Sequence, residues 1–329
     1  MNDSLHRVME QDERVYCIGE DILDPYGGAF KVTKGLSTRF PGRVLTTPIS
    51  EAAIVGAACG MSMRGLRPVA ELMFGDFVAL AMDQLINHVA RFKWMYNEQV
   101  DVPVVIRTPM GGGRGYGPTH SQNLEKHLLG IPGLVVVAPH HLLNPGELLE
   151  QAVADDDPVV FIEDKAGYSR HLAGALPEMQ TSEIKDRACA YPTLLARHTE
   201  GSDGAVFCYG AMALKCLEAV EILRRQQGLL LSLIVFTRIS PLPETHVAQI
   251  LRQLAAGPCF YCEEASPDAG FGAEAMACVN RTNLSQVQPL ALSHHTIGAR
   301  HEPIAGSREL EENTLPQVRG IVERILNEY

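Results

Sequence analysis

The sequence predicts an α/β protein with two domains, each a largely parallel sheet between two layers of helices. Its 329 residues suggest two units, at roughly 150 residues per domain. Short β-branched runs alternate with helical stretches, the pattern of helices layered on a parallel sheet. Apolar residues make up 46% of the chain and charged residues 20%, as in ordinary globular proteins. A wholly disordered or collagen-like chain is therefore excluded.

The first α/β series extends to about residue 162. Strands are predicted over 15–18, 43–46, 67–72, 102–107, 134–138 and 159–162. Helices are predicted from Ser50, a good N-cap, over 77–94 and over 144–154. The stretch that follows has no clear periodicity and contains Pro177 and Pro192, which is typical of a link between domains.

A second α/β series follows this stretch. Strands are predicted over 205–209, 229–236 and 259–263. Helices are predicted over 213–227, where Gly228 ends the helix, over 244–254, over 271–279 and over 315–326. We therefore predict a first domain over 1–180, a linker over 181–203 and a second domain over 204–329.

The charge balance and the apolar runs narrow the functional classes. Lys and Arg number 28 and Asp and Glu number 39, so the net charge is −11. An acidic chain without a basic cluster is not expected to bind nucleic acid or an anionic membrane. No apolar run reaches the roughly 20 residues of a membrane span. The polar amino terminus has no apolar signal core, so we expect a cytoplasmic protein.

The eight cysteines are dispersed, which does not resemble a disulfide scaffold. Cys259 and Cys262 form a C-x-x-C within a predicted strand. Zinc would require a second pair at suitable spacing, and the sequence has none. We interpret both cysteines as small buried residues.

A glycine-rich loop over 111–120 follows a predicted strand. Gly111 and Gly113 match the first two positions of a dinucleotide fingerprint, but Tyr116 stands where the third glycine belongs. The sequence contains no Gly-Lys-Ser/Thr phosphate loop either. The loop instead brings His120 to the carboxyl edge of a sheet, where open α/β sheets bind ligands. By position alone, His120 is either functional or a surface histidine.

Two further segments stand at predicted helix starts. Glu51 follows Thr47-Pro48-Ile49-Ser50, and a carboxylate in the first helical turn has a structural explanation because it complements the helix dipole. Two aromatic residues stand in Phe74-Gly75-Asp76-Phe77, where they are either core residues or ligand contacts.

Taken together, these segments resemble a known family. The chain is similar to the beta subunit of thiamine diphosphate-dependent 2-oxo-acid dehydrogenases in TTPISEAAIVGAACGMSMRGLRPVAELMFGDFVALAMDQLINHVARFKW, and again in VPVVIRTPMGGG followed by PTHSQNLEKHLLGIPGLVVVAP. The second half agrees in FCYGAMALKCLEAVEIL, in Glu263 and Glu264, and in AGFGAEAMA. The family includes pyruvate, branched-chain and acetoin dehydrogenases. The resemblance implies a transketolase-like pyrimidine-binding domain followed by a transketolase C-terminal-type domain.

The resemblance also implies roles at the cofactor. Glu51 matches the glutamate that bonds to the aminopyrimidine ring and drives it toward the imino tautomer, which takes the proton from the thiazolium carbon. Phe77 matches the aromatic residue that stacks on the pyrimidine, and Ile49 lines the same ring. Glu20 matches an acidic residue on the cofactor side. His120 matches the histidine that faces the reactive carbon, where it would position the substrate carboxylate or help move the acyl group.

The resemblance also implies a metal site. In some family members the loop matching 152–158 binds a structural potassium ion, largely through backbone carbonyls together with a carbonyl near Val104. Asp155 and Asp157 are the candidate ligands here. The alternative is a solvated acidic turn.

The expected partner subunit is indicated by a motif that this sequence lacks. The chain lacks the Gly-Asp-Gly block and the Asn-rich turn that hold a diphosphate through Mg²⁺, and in the family these lie on a separate alpha subunit. The resemblance therefore implies a heterotetramer of two alpha and two beta subunits that acts on a small 2-oxo acid. A lipoyl acyltransferase is the expected acyl acceptor.

Two alternatives stay open at this point. Gly117-Pro118-Thr119 before His120 is similar to transketolases, so the chain could be the C-terminal half of a split transketolase-type enzyme that needs no lipoyl carrier. The chain could also be a non-catalytic assembly subunit, although a scaffold has no need of Glu51, Phe77 and His120 together.

Overall fold

Two sheets, each flanked by helices, are formed by residues 1–174, 176 and 178–329, which are the residues that the computed structural model describes. Pro177, taken above as part of the link between the domains, lies outside them. The α-helices are α1 (Asn2–Gln11), α2 (Leu36–Arg39), α3 (Glu51–Ser62), α4 (Phe92–Met95), α5 (Pro145–Ala154), α6 (Met212–Gln227), α7 (Glu244–Leu251), α8 (Phe271–Leu284), α9 (Arg308–Thr314) and α10 (Val318–Leu326). The strands are β1 (Val15–Gly19), β2 (Val44–Thr46), β3 (Arg67–Glu71), β4 (Val105–Met110), β5 (Val135–Val137), β6 (Val159–Asp164), β7 (Gln180–Ile184), β8 (Thr193–Arg197), β9 (Gly204–Tyr209), β10 (Leu231–Phe236), β11 (Arg238–Ser240), β12 (Gly257–Cys262) and β13 (Leu292–Ile297).

The first sheet has the strand order β11-β5-β6-β4-β3-β1-β2. All its pairs are parallel except β11 with β5. Every residue of β4 is buried, as expected where helices cover both faces of a parallel sheet. The carboxyl ends of β1, β2, β3, β4 and β6 consequently lie along one edge, where the loops that carry the candidate site begin.

The second sheet has the order β13-β12-β9-β10-β8-β7, in which β7 and β8 are antiparallel additions to a parallel core. Helix α6 lies on this sheet and ends, as predicted, at Gly228, whose φ of 68° suits a glycine. Strand β8 and most of β7 fall within 181–203, which was expected to be a linker, and both pair in this sheet. The α/β prediction is confirmed, and the domain boundaries stay a prediction.

Strand β11 joins the two halves of the chain. It follows β10 of the second sheet directly, yet it pairs with β5 of the first, with Arg238 opposite Val137 and Ser240 opposite Val136. The second domain is therefore tied to the first sheet by backbone hydrogen bonds. The sequence analysis did not predict this strand.

The prediction of one long α-helix over 77–94 is wrong, because the helical segment there is not a single regular α-helix. The chain forms a 3-10 helix over Gly75–Ala81, a π-helix over Gln84–Val89 and then the short α4. The first of these segments is anchored by Asp76, whose carboxylate accepts hydrogen bonds from Gln122. Tertiary contacts thus override the regular α-helical period, which is common beside functional sites.

The buried cysteines behave as expected. All eight are free and buried. Cys259 and Cys262 belong to different hydrophobic cores, on opposite faces of β12, because strand residues three apart point to opposite sides. Within the described ranges, no cluster of three or more His, Cys, Asp or Glu residues is arranged to hold a metal ion.

None of the helices in the described residues is long and apolar enough to cross a membrane.

Candidate active site

Glu51 opens α3 directly after the loop that follows β2. Ser50 caps this helix, since its hydroxyl accepts a hydrogen bond of 3.4 Å from the Ala53 amide. The Glu51 side chain is buried, with 6% of its surface exposed. Four positions earlier in the chain, the hydroxyl of Thr47 is buried and has no hydrogen-bond partner among the described residues. A buried polar group without a partner is unusual and is a candidate contact for a polar ligand.

Glu20 lies close to Glu51. Glu20 follows β1, which is the neighbour of β2 in the sheet, so both acids stand at the same sheet edge. Burial, followed by the charge of Glu51, raises the pKa of Glu20. The structure therefore places two of the predicted site residues at the same edge of the sheet.

His120 lies between two aromatic rings. Its imidazole is edge-on to Phe74, at 5.0 Å between ring centroids and 78° between planes, and to Phe77, at 5.2 Å and 84°. The Thr119 hydroxyl lies 3.0 Å from His120 Nδ1, so Nε2 is the ring nitrogen left for a substrate. The segment that carries Phe77 also packs against α3. The helical layer thus connects the aromatic contact to the helix that Glu51 begins.

Lys165 is a site residue that the sequence analysis missed. It follows β6, is fully buried, and its ammonium group donates a hydrogen bond to the backbone carbonyl of His120. Its Nζ lies 3.8 Å from the Asp76 carboxylate, which also accepts hydrogen bonds of 3.0 and 3.1 Å from Gln122. Burial lowers the pKa of Lys165, and Asp76 opposes that shift. These contacts fix the backbone at His120 and at Gln122, two residues further along.

The site is open on this chain. Ile49 has 81% of its surface exposed, Leu80 62% and Tyr116 45%. Each of these residues belongs to one of the segments that carry the predicted site residues: Ile49 precedes Glu51, Leu80 follows Phe77 and Tyr116 precedes His120. Apolar surface that is exposed beside a binding site is available to a ligand or a partner.

An arginine and a lysine of the chain itself contact the loop expected to bind potassium. The Arg67 guanidinium donates hydrogen bonds of 2.9 Å to the Val153 carbonyl and 2.8 Å to the Asp155 carbonyl. Asp157 lies 3.5 Å from the Lys93 ammonium. Two backbone oxygens of this loop are thus bonded to a positive charge that the chain itself supplies, and the potassium site stays a prediction.

The domain families match the two halves of the chain. The transketolase pyrimidine-binding domain matches residues 1–170. The transketolase C-terminal domain matches residues 195–321.

Named relatives match nearly the whole chain. The beta subunit of acetoin:2,6-dichlorophenolindophenol oxidoreductase from Cupriavidus necator is 34% identical, over 98% of this chain and 93% of its own. The corresponding Bacillus subtilis subunit is 33% identical, over the same shares of both chains. The mitochondrial pyruvate dehydrogenase E1 component subunit beta-2 of Oryza sativa is 32% identical, over 98% of this chain and 83% of its own.

Solved structures show the same fold at lower identity. An inactive beta4 tetramer of a split-gene transketolase superposes with a TM-score of 0.70 at 18% identity, over 99% of this chain and 96% of that one. Transketolase from Campylobacter jejuni superposes with a TM-score of 0.71 at 15% identity, over 99% of this chain and 46% of its own.

Proposed function

Because the chain belongs to the family of beta subunits of thiamine diphosphate-dependent 2-oxo-acid dehydrogenases, we propose that it supplies the pyrimidine half of an active site shared with an alpha subunit. The resemblance found in the sequence is confirmed, and with it the oxidoreductase class. The observation that carries the proposal is the buried carboxyl of Glu51 at a helix start, together with His120 set edge-on between Phe74 and Phe77.

A beta subunit of a 2-oxo-acid dehydrogenase is favoured over one half of a split transketolase. The named relatives at 32–34% identity are beta subunits of acetoin and pyruvate enzymes. The transketolase structures are only 15–18% identical, and similarity at this level indicates a shared fold but not a shared function. The family kinship also weighs against the non-catalytic subunit.

Thiamine diphosphate, when bound, would supply a carbon nucleophile for the 2-oxo group and an electron-withdrawing ring to take up the electron pair released when carbon dioxide leaves. Glu51 holds a proton at a ring nitrogen of the aminopyrimidine, where its rigid position at the start of α3 keeps the hydrogen bond in place. Glu20 lies at the same sheet edge on the cofactor side, where burial and the charge of Glu51 raise its pKa. Phe77 offers its ring face to the pyrimidine, and Ile49 covers the same ring from the surface.

His120 acts on the substrate side. Its Nε2, which the Thr119 contact leaves available, orients the carboxylate of the 2-oxo acid or holds a proton during acyl transfer. Lys165 and Asp76 take no part in the chemistry themselves. They keep the backbone of His120 in place through the buried contacts described above.

The partner subunit completes the site. We propose an alpha subunit that binds the diphosphate through Mg²⁺, an assembly of two alpha and two beta subunits, and a lipoyl acyltransferase as the acyl acceptor. We propose no potassium ion at Asp155 and Asp157, because Arg67 already supplies a positive charge to the Val153 and Asp155 carbonyls. A cytoplasmic location stays a prediction.

The proposal is tested by using this chain as bait in its native cell extract. The recovered complex is assayed for decarboxylation of pyruvate and branched-chain 2-oxo acids and for cleavage of acetoin, with and without thiamine diphosphate and Mg²⁺. We expect an alpha-type partner and activity that requires both cofactors. A chain that is recovered alone, or with a partner lacking the diphosphate motif, and that shows no cofactor-dependent activity would refute the proposal.

A further inference from the structure

The second domain reaches the glycine-rich loop through Glu264, which follows β12. One carboxylate oxygen of Glu264 accepts a hydrogen bond of 2.8 Å from the Gly112 amide and one of 3.1 Å from the Asn123 side chain. Glu264 is largely buried, at 8% exposure. Its negative charge is balanced by Lys215 of α6, whose ammonium lies 3.8 Å away. Gly112 and Asn123 stand on either side of His120, so Glu264 joins the two arms of the loop.

A second glutamate, Glu311, is hydrogen-bonded to the middle of the same loop. It lies in α9, is fully buried, and accepts a hydrogen bond of 2.7 Å from the Gly115 amide. Its other carboxylate oxygen is buried without a partner among the described residues. A hydrogen bond from an amide to a carboxylate is charge-assisted and stronger than one between neutral groups.

The glycines of the loop allow this close approach. Gly111 has a φ of +95°, and a Cβ there would lie 2.8 Å from a carboxylate oxygen of Glu264. A Cβ on Gly112 would lie 2.7 Å from Glu311 and 2.5 Å from Leu315. Side chains at these positions would push the second domain away, so the glycines are needed for the contact itself.

The two glutamates also face the lysine that holds His120. The charges of Asp76, Glu264 and Glu311 all favour the charged form of Lys165 against the cost of its burial. The loop is therefore held by its amides from the second domain, while the carbonyl of His120 is held from the first domain by Lys165.

We propose that Glu264 and Glu311 are positioning residues for His120, through which the second domain sets the geometry of the active site in the first. This role rests on the proposed function of His120. Neither glutamate touches the substrate; both act by fixing the loop. Misplacing a catalytic group by about 1 Å costs a rate factor on the order of 10², so a loosened loop should lower kcat.

The test uses the complex reconstituted with its alpha partner. Glu264→Ala and Glu311→Ala are compared with Glu264→Gln and Glu311→Gln, whose amide oxygen can still accept the loop N–H. Glu309→Ala is the control, because Glu309 is exposed on the same helix. The measurements are hydrogen exchange of the peptide over 111–123, kcat, KM and the thiamine diphosphate concentration for half-maximal activity.

We expect the alanine variants to lose exchange protection in this peptide alone and to lose about 10- to 100-fold in kcat, with thiamine diphosphate affinity unchanged. The glutamine variants should recover most of both. Should Glu311→Ala fail to assemble, Gly112→Ala disturbs the same contact, because the added Cβ meets the Glu311 carboxylate. Protection that persists in the alanine variants, or a loosened loop with kcat within about twofold of wild type, would overturn the proposal.

The outcome is separable from the proposed function. His120→Ala with normal activity would count against the role given to His120. The exchange measurement would still show whether Glu264 and Glu311 hold the loop.

Discussion

The imidazole of His120 stands edge-on to the ring of Phe77, with 5.2 Å between the ring centroids and 84° between the ring planes. One residue comes from the glycine-rich loop after β4 and the other from the helical segment after β3. Neighbouring parallel strands thus deliver a titratable group and an aromatic face to one point on the sheet edge.

His120→Ala should lower kcat for a 2-oxo acid by about 10²- to 10³-fold, because it removes a group that orients the substrate or holds its proton. The affinity for thiamine diphosphate should stay within about threefold of wild type, since the cofactor ring is bound by other residues. Steady-state kinetics of the reconstituted complex, with the cofactor titrated separately, check both expectations. A kcat within twofold of wild type would remove His120 from the reaction.

Phe77→Ala, in contrast to His120→Ala, should weaken the binding of thiamine diphosphate. Losing a stacked ring costs about 1 kcal/mol, so the thiamine diphosphate concentration for half-maximal activity should rise about five- to tenfold. Phe77→Tyr keeps the ring and serves as the matched control. Equal cofactor requirements in both variants would show that the ring does not contact the cofactor.

The Arg67 contacts predict a complex that does not depend on potassium. Exchanging K⁺ for Na⁺ should change the melting temperature by less than about 1 °C, because the carbonyls of Val153 and Asp155 are already bonded. Arg67→Met should cost about 1–3 kcal/mol of stability, since it leaves these carbonyls without donors. A marked rise in melting temperature with K⁺ alone would restore the potassium site.

His140 predicts a loss of stability in mild acid. Burial lowers the pKa of His140 from its ordinary 6.5 to about 3. Between these values the unfolded chain binds a proton that the folded chain does not, so the free energy of unfolding falls as pH drops below 6.5 and is fully retained above it.

The size of this effect is measured against a variant that cannot titrate. Between about pH 7.5 and about pH 5.5, urea unfolding of the wild type should lose about 1 kcal/mol more than that of His140→Gln. Both chains share every other titrating group, so the difference isolates His140. Equal losses in the two chains would contradict its burial as a neutral imidazole.

Local patterns predicted much of the fold. The apolar run over 159–162 and the cap at Ser50 are properties of consecutive residues, and the structure has a strand and a helix start there. Strand β11 has only three residues, and its partners Val136 and Val137 lie about 100 positions earlier in the chain. No pattern of neighbouring residues predicts a pairing between two strands so far apart in the chain. The helix expected over 77–94 failed for a related reason, because Asp76 is held by Gln122 from another loop.

The site residues likewise divide into those that sequence motifs predict and those that depend on contacts between distant parts of the chain. Glu51, Phe77 and His120 stand in motifs that are readable from the sequence, whereas Lys165 does not. Its role depends on a contact with the His120 carbonyl, 45 positions away, which only the three-dimensional path of the chain creates. The potassium hypothesis considered the loop over 152–158 and a carbonyl near Val104, and it did not include Arg67, which reaches that loop from β3.

The central claim, a shared thiamine site with its pyrimidine half on this chain, is tested most directly at Glu51. The measurement is decarboxylation by the complex reconstituted with Glu51→Gln, beside Glu13→Gln as a control at an exposed carboxyl. We predict a loss of about 10²-fold or more in kcat for Glu51→Gln, with assembly intact and the control unchanged. Full thiamine diphosphate-dependent activity in Glu51→Gln would contradict the claim.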